Sequence, residues 1–409
     1  MLPPNACDHE RFSFLCIVKI LMFHQHFNTP EGGGAIRSYY LAMALIQRGH
    51  QVTMITSCAC TTGRTEHIEG LEVIYLPVPY NNRFNFYARS WSFIKYVLGA
   101  SHAGSKYKDY DICYGISVPL TVGICTRWMK FKYGIPYMFE VGDLWPDAPI
   151  QLGFIRNKLF QRALFSLEKS IYRQAHSVVA LSPPIQAAII TKAPSTRVDV
   201  IPNMADCDFY RPEAKNPELD AKYGTTGKLV VSYIGALGVA NGLNHLLDCA
   251  EACLASRLPV QFIICGDGAV LDELKATSER KALANITFSG FENRNGVKQI
   301  MNITDAVFVS YKKAAILETG CPNKYFDGLA AGKLVIINFG GWIRTDVESH
   351  ECGFFADPNQ PAEFLRKLSP FLADRTLLAV CQQRARKLAE EKYSRTQISN
   401  LFADLFSPS

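Results

Sequence analysis

From about residue 18 onward, short apolar runs alternate with longer stretches of helical periodicity, and the turn after a run repeatedly carries glycine. The first unit sets the pattern. An apolar run predicts a strand over 18–23, the loop Asn28-Thr29-Pro30-Glu31-Gly32-Gly33-Gly34 leads into a helix predicted over 36–48, Gly49 stops it, and a second strand follows over 52–56. Strand, helix and strand in that order make a right-handed crossover with parallel strands. Strand-like runs at 111–115, 137–141, 177–181 and 198–202 continue the pattern, and it resumes at 229–234, 260–265, 286–288, 306–311 and 334–338 with helical stretches between. The interval 207–227 is rich in Pro, Asn, Glu, Lys and Gly with little apolar periodicity, as a linker is. Two such blocks predict an α/β protein of two doubly wound, Rossmann-like domains. The expected divisions are 1–205, 206–392 and a closing segment 393–409.

A chain of 409 residues that is 48% hydrophobic can fill two cores, which sets aside disorder and fibrous structure. The formal charge of +6 is modest for this length and no basic stripe is present, so a nucleic-acid binder is disfavoured. Thirteen cysteines are odd in number and scattered, and Cys113 and Cys265 sit in apolar runs where the thiol acts as a small hydrophobe, the usage of a reducing cytosol. Cys58 with Cys60, and Cys249 with Cys253, are too sparse to read as metal sites. The apolar run 12–23 resembles the core of an export signal, but Asp8 and Glu10 precede it, Lys19 lies within it and no small-residue cleavage site follows. With no uninterrupted apolar stretch of bilayer length, the expectation is a soluble or peripheral protein.

Open α/β sheets bind ligands beyond the carboxyl ends of their strands. Glycines stand there at Gly33 and Gly34, at Gly235 and Gly238, at Gly266 and Gly268, and at Gly290, and Asp143 follows a predicted strand in Gly142-Asp143-Leu144-Trp145-Pro146. The most pointed stretch is Pro322-Asn323-Lys324-Tyr325-Phe326-Asp327-Gly328-Leu329-Ala330-Ala331-Gly332-Lys333, a helix entered through Pro, closed by Gly and followed by the apolar run 334–337. Its bland reading is an exposed salt pair between Lys324 and Asp327. Its functional reading is a diphosphate site: the free N–H groups of the helix start and the Lys324 charge suit an anion, and Asp327 one turn on accepts from sugar hydroxyls. Two further stretches, 81–99 with Arg83, Arg89 and Lys95 among seven large aromatic and aliphatic residues, and 127–133, suit either a lipid headgroup layer or packing on a sheet.

Taken together in order and spacing, Glu31-Gly32-Gly33-Gly34, Asp143-Leu144-Trp145-Pro146, Ile201-Pro202-Asn203, Gly235-Ala236-Leu237-Gly238, Gly266-Asp267-Gly268, Pro322-Asn323-Lys324 and Asp327-Gly328-Leu329-Ala330-Ala331-Gly332-Lys333 resemble a family 4 glycosyltransferase of the GT-B fold. The nearest likeness is to bacterial members that add N-acetylated amino sugars in O-antigen, capsule or protein-glycan assembly on a polyprenyl diphosphate carrier. The resemblance implies two domains facing each other across a cleft, with 393–409 returning to the first domain. It implies a UDP-sugar donor whose diphosphate is approached by Gly33 and Gly34 from one side and by Gly235, Ala236, Leu237 and Gly238 from the other. Lys324 would hold the diphosphate, Asp327 the ribose, and Gly290-Phe291 the nucleobase, with Asp143 on the acceptor side. Catalysis would fall to Lys324 and Asp143, with retention of configuration and without a metal or other cofactor. Localisation would be at the cytoplasmic face of the inner membrane, as a peripheral protein.

The chain also departs from the family's pattern. Where an acid usually stands eight positions before Asp327 it has Thr319, with Glu318 beside it, so these two residues become the candidates for the donor-sugar contact. Gly142 takes the place of a His, and Ala240 and Asn241 stand where a second cation is common, which leaves Arg344 or Arg37 to supply it. Rival readings are a sugar-nucleotide epimerase of the same fold and a non-catalytic nucleotide-sugar binder. An NAD-dependent oxidoreductase is disfavoured because Thr56-Ser57-Cys58 puts no acid at the end of the second strand.

Overall fold

The computed structural model describes residues 17–34, 36–81, 84 and 86–407, with only the backbone of Phe86. Arg83 and residues 12–16 of the 12–23 apolar run therefore lie outside the described residues. In the first domain β1 (Lys19–Phe23), β2 (Gln51–Cys58), β3 (Arg64–Ile68), β4 (Leu71–Pro77), β5 (Ile112–Ile116), β6 (Tyr137–Val141), β7 (Ser177–Ala180) and β8 (Val198–Val200) form one sheet in the order β3-β4-β2-β1-β5-β6-β7-β8. In the second, β9 (Leu229–Ile234), β10 (Val260–Cys265), β11 (Ile286–Gly290), β12 (Ala306–Val309), β13 (Leu334–Ile337) and β14 (Gly353–Phe355) pair in the order β11-β10-β9-β12-β13-β14. The two Rossmann-like domains expected from the alternation are present. Central strands are buried on both faces, as helices on both sides of a parallel sheet require: Ile20, Leu21, Met22 and Phe23 are all inaccessible to solvent.

Three elements depart from the expected pattern. The hairpin of β3 and β4 is antiparallel, in an otherwise parallel first sheet. Its turn is Glu69-Gly70, both at positive φ (49° and 89°), the conformation that lets two residues connect adjacent strands. The linker is not wholly irregular, because Asn216 caps a helix at Pro217–Tyr223 that ends on Gly224. Beyond β13 a helix at Trp342–Ser349 and the short β14 complete the second sheet's edge.

The aromatic and basic stretch divides by face. On the helix Phe86–Gly104, Tyr96 and Ala100 are wholly buried, and the Tyr96 hydroxyl donates to the Ile55 carbonyl at 2.8 Å. Tyr87, Trp91, Ile94 and Leu98, spaced four, three and four apart, are exposed on the other side. The neighbouring helix Val122–Tyr133 exposes Trp128 and Phe131. No helix among the described residues is long and apolar enough to cross a membrane. Cys58 closes β2 and Cys60 follows two residues on, with the two sulfurs against each other.

The chain leaves the second domain beside Tyr393 and returns to the first. Ala205 and the segment Tyr393–Arg395 exchange backbone hydrogen bonds at 2.7 and 2.9 Å, and the helix Arg395–Asp404 then lies against the helix Arg37–Gln47. Phe402 is fully buried there, with its ring 5.0 Å from that of Tyr114. The last helix thus fills one face of the first sheet, and Phe402→Ala is expected to lower stability by about 3–5 kcal/mol, as truncation of a buried Phe does. Urea unfolding followed by circular dichroism measures it; a midpoint equal to that of the parent chain contradicts the packing.

Candidate active site

The carboxyl edges of both sheets open onto one interdomain cleft of about 1410 Å³. On the second domain's side, the turns after β9 and β10 lie backbone on backbone. Gly235 and Leu237 donate to the carbonyls of Cys265 and Asp267, each at 2.9 Å, and a Cβ on Gly266 or Gly268 would overlap the carbonyl of Gly235 or Leu237. Only glycine permits that approach. Gly235 and Ala236 consequently form cleft wall, whereas Leu237 is wholly buried beneath them and Gly238 is turned off the wall into the 3₁₀ turn Val239–Asn241. From the first domain Gly33 and Gly34, at φ 69° and 75°, line the opposite wall, and a Cβ on Gly33 would stand 3.7 Å from the Arg294 backbone nitrogen.

The central helix spans Asn323–Ala330, with Pro322 at its cap and Gly332 at φ 60° past its end. Tyr325, Phe326, Leu329 and Ala330 are inaccessible, and a Cβ on Gly328 would overlap Val307, so the helix lies directly on β12. That burial turns the opposite face, with Lys324 and Asp327, into the cleft. The bland salt pair is not formed: no ion pair joins these two among the described residues. Lys324 Nζ instead donates to the Tyr233 hydroxyl at 2.8 Å and stands 4.4 Å from that ring's centre, with its stem against Gly235. The surrounding protein pushes the Lys324 ammonium down to about 7 and the Asp327 carboxyl up to about 7, the latter against the opposing pull of Arg294. Both residues are largely buried and open only toward the cleft, so burial by the flanking walls causes both shifts, and an anion brought between those walls favours the charged form of Lys324.

Contacts across the interface fix where this helix begins. Asn203 Nδ2 donates to the Cys321 carbonyl at 2.5 Å, the Asn203 backbone N–H meets Cys321 Sγ at 3.3 Å, and Ser182 Oγ donates to the Thr319 carbonyl at 2.6 Å. Ile201-Pro202-Asn203 therefore acts on the start of the central helix in the other domain. Asp143, in the turn after β6, is exposed in area yet enclosed between the domains, and that enclosure raises its carboxyl above the ordinary range. It interacts with Tyr311 and Cys321 of the second domain and stands outside the residues that line the cleft.

Glu318 and Thr319 also stand off the cleft wall. Glu318 accepts from the Gly340 backbone N–H at 3.4 Å, in the loop after β13, and Thr319 Oγ1 donates to the Ile316 carbonyl at 2.7 Å, within its own 3₁₀ turn, Ala315–Thr319. Gly290, at φ 79°, ends β11 and presents Phe291 to the cleft, three-quarters exposed. The two cations considered for the missing position are occupied elsewhere. Arg37 lies on the wall, but its guanidinium is bound to Glu140 at 3.0 Å and to the carbonyls of Ile201 and Pro202. Arg344 lies outside the cleft, over the Phe355 ring and paired with Glu348. Sequence reasoning missed Tyr233, near the end of β9, Asp206, just before the linker, and Arg294, the first residue of the helix that follows the Gly290 turn; the place of Arg294 four residues past that glycine was the available signal. Among the described residues no group of three or more His, Cys, Asp or Glu is placed to hold a metal ion.

With this geometry in view, the similarities of the chain are informative. Residues 32–204 match the model described as Glycosyl transferase 4-like domain, and 215–388 that of Glycosyl transferases group 1. A curated relative, alpha-D-kanosaminyltransferase of Streptomyces kanamyceticus, is 21% identical over 246 residues, which are 58% of this chain and 62% of that one. The chain thus spans less than two thirds of that relative's length. In fold it is similar to sucrose-phosphate synthase from Thermosynechococcus elongatus, with a TM-score of 0.75 at 16% identity, covering 95% of this chain and 98% of the other. It is also similar to Anabaena HepE in complex with UDP and glucose, with a TM-score of 0.67 at 18% identity over 95% and 99%.

The depressed Lys324 pKa gives a signed expectation for nucleoside diphosphate binding. A diphosphate favours the charged lysine, so binding takes up a proton between pH 7 and the lysine's ordinary value, and affinity falls as pH rises through that window. At pH 8.5, above the value for Asp327, calorimetry of UDP in buffers of different ionisation enthalpy should show uptake approaching one proton. Lys324→Met should abolish it, and uptake that persists in that variant contradicts the placement.

Proposed function

Because the chain belongs to the glycosyltransferases, with a 4-like domain in its first half and a group 1 domain in its second, we propose that it is a retaining enzyme that moves a sugar from a UDP-sugar to a lipid-linked saccharide. The observation that carries this reading is the pairing of Lys324 and Asp327 on one wall of a cleft whose other walls are glycine turns from both domains. As the bond from sugar to β-phosphate breaks, negative charge grows on the leaving diphosphate. Lys324, braced by Tyr233 and set at the first turn of the central helix, is placed to meet it. Asp327 accepts the ribose hydroxyls, and the acceptor hydroxyl attacks from the face the nucleotide leaves, with Asp143 on its side of the gap. Lys324 then carries the charge-neutralising role a divalent ion plays in other transferases, and turnover should survive EDTA. An N-acetylated amino sugar is the proposed donor sugar; the amino-sugar chemistry in the kanosaminyltransferase name supports that choice.

Steady-state kinetics test the assignments. Lys324→Ala should lower kcat by roughly 10²–10³-fold, the usual size for loss of one charge-stabilising group, with a smaller change in KM. Asp143→Asn should lower turnover with acceptor and leave UDP affinity unchanged. Full turnover in Lys324→Ala returns the central helix to a structural role.

The proposed acceptor is a polyprenyl-diphosphate-linked saccharide, reached by a peripheral enzyme at the cytoplasmic face of the inner membrane in surface-polysaccharide or glycan assembly. What supports this is the exposed stripe Tyr87, Trp91, Ile94 and Leu98, with Lys95 5.6 Å from the Trp91 ring centre and Phe131 on the next helix. Apolar side chains of this size each contribute about 1.5–3 kcal/mol when buried. The double variant Trp91→Ser, Leu98→Ser should therefore leave anionic vesicles in a flotation assay while keeping the parent's UDP affinity. Undiminished flotation removes the stripe from the membrane contact.

A further inference from the structure

The cleft wall carries four Lys or Arg side chains among the described residues: Arg37, Arg64, Arg294 and Lys324. Arg37 is saturated by Glu140 and two carbonyls, and Arg64 pairs with Glu66 at 2.6 Å over the Tyr75 ring, on the β3–β4 hairpin at the first domain's edge. The Gly235–Gly238 turn is followed by Ala240, whose carbonyl accepts from the Lys312 backbone N–H, and by Asn241, whose Nδ2 braces the Ala236 carbonyl at 2.8 Å, so neither position supplies a cation. A single lysine is a spare counter-charge for a diphosphate, and the remaining candidate is Arg294.

Its surroundings prepare it for that work. Arg294 opens the helix Arg294–Ile303, where Asn293 caps the Gly296 N–H, and its side chain is only 13% exposed. The guanidinium stands 3.8 Å from the centre of the Phe209 ring and is paired through Nη2 with Asp206. Asp206 is itself fixed, because it accepts from the Tyr40 hydroxyl at 2.9 Å and pairs with Arg395 at 3.2 Å. Nε and Nη1 make no hydrogen bond among the described residues. The group thus faces the cleft between the Gly33 turn and Asp327 with its plane set by a ring, one nitrogen held and the other donors available. A planar fork with several N–H groups suits a phosphate better than an ammonium does.

We propose that Arg294 is a direct ligand of the donor's phosphates, oriented by Asp206 and Phe209, and that it supplies the second cation missing after the Gly235–Gly238 turn. This rests on the nucleotide-sugar reading of the cleft. Because Asp206 stands at the junction between the first domain and the linker and Tyr40 on a first-domain helix, the same contact ties donor recognition to the position of the domains: the group that grips the phosphates is held by residues of the first domain, the junction and the linker, while the Lys324 ammonium is held by Tyr233 of the second domain.

The test measures binding of UDP and of uridine to the full chain by calorimetry and saturation-transfer NMR, for the parent, Arg294→Met, Arg294→Lys and Lys324→Met. Arg294→Met should weaken UDP by roughly 10- to 100-fold, the size of hydrogen bonds to a charged group, and uridine by less than twofold. Arg294→Lys, which keeps the charge and loses the fork, should fall between, and it carries the comparison if the Met variant fails to fold. Two outcomes overturn the proposal: unchanged UDP affinity in the Arg294 variants beside a large loss in Lys324→Met, or equal losses for UDP and uridine, which mark Arg294 as a structural brace. Failure of the parent chain to bind any uridine compound overturns the nucleotide-sugar reading itself and is seen before any variant is made.

Discussion

A buried carboxylate holds the central helix where the two domains meet. Asp346 accepts from the hydroxyls of Tyr325 and Tyr393, both at 2.7 Å, and pairs with Lys392 at 2.6 Å. Tyr325 is the neighbour of Lys324, and Tyr393 begins the crossing that carries the chain back to the first domain. A buried carboxylate is tolerated only when its lone pairs are used, and here they are used by the two segments whose relative position matters most. Removing one partner would strand a charge in the core, so the helix, the crossing and the last helix behave as one unit.

The first domain grips the same helix just ahead of its first turn. Asn203 binds Cys321, the residue before Pro322, and Arg37 holds the carbonyls of Ile201 and Pro202 while its ion pair with Glu140 is stiffened by the Tyr114 hydroxyl at 2.6 Å. A chain of buried polar contacts therefore runs from the helix behind the Gly33 turn to the start of the helix that carries Lys324. Arg37 earns its place in this structure by positioning backbone, although the lack of a cation at Ala240 and Asn241 made it a candidate phosphate ligand. The distinction is one of saturation: a guanidinium already bonded to a carboxylate and two carbonyls has little left for a ligand.

The site and the exposed apolar stripe share a logic of two-sidedness. The central helix hides Tyr325, Phe326 and Leu329 on β12 and shows Lys324 and Asp327, and the helix Phe86–Gly104 hides Tyr96 and Ala100 and shows Trp91 and Leu98. In the first the exposed side is charged and faces the other domain; in the second it is apolar and faces outward. Sequence periodicity alone could not separate the aromatic residues that pack from those that do not, because both are apolar and lie on neighbouring faces of one helix.

Local chemistry in the sequence determined much of this protein: the apolar runs, the glycine turns after them and the stops at Gly49 and Gly332 set two parallel-sheet domains, and the Pro-to-Gly span at 322–332 marked the central helix with its cation and anion. The β3–β4 hairpin escaped because its strands are polar on one side and its Glu69-Gly70 turn carries a weak signal, and β14 because three residues show no period. What only the tertiary structure decided is which charges remain available. Lys324 and Asp327 are three apart in sequence and stay unpaired because Tyr233 takes one and Gly328 presses the helix on β12, whereas Arg37, Arg344, Glu318 and Thr319 are claimed by partners 4 to 165 residues away or by their own turn. Saturation of a polar group depends on what the fold brings to it, and the neighbours that decide it for Arg37 and Arg294 come from the other end of the first domain and from Asp206 at its junction with the linker.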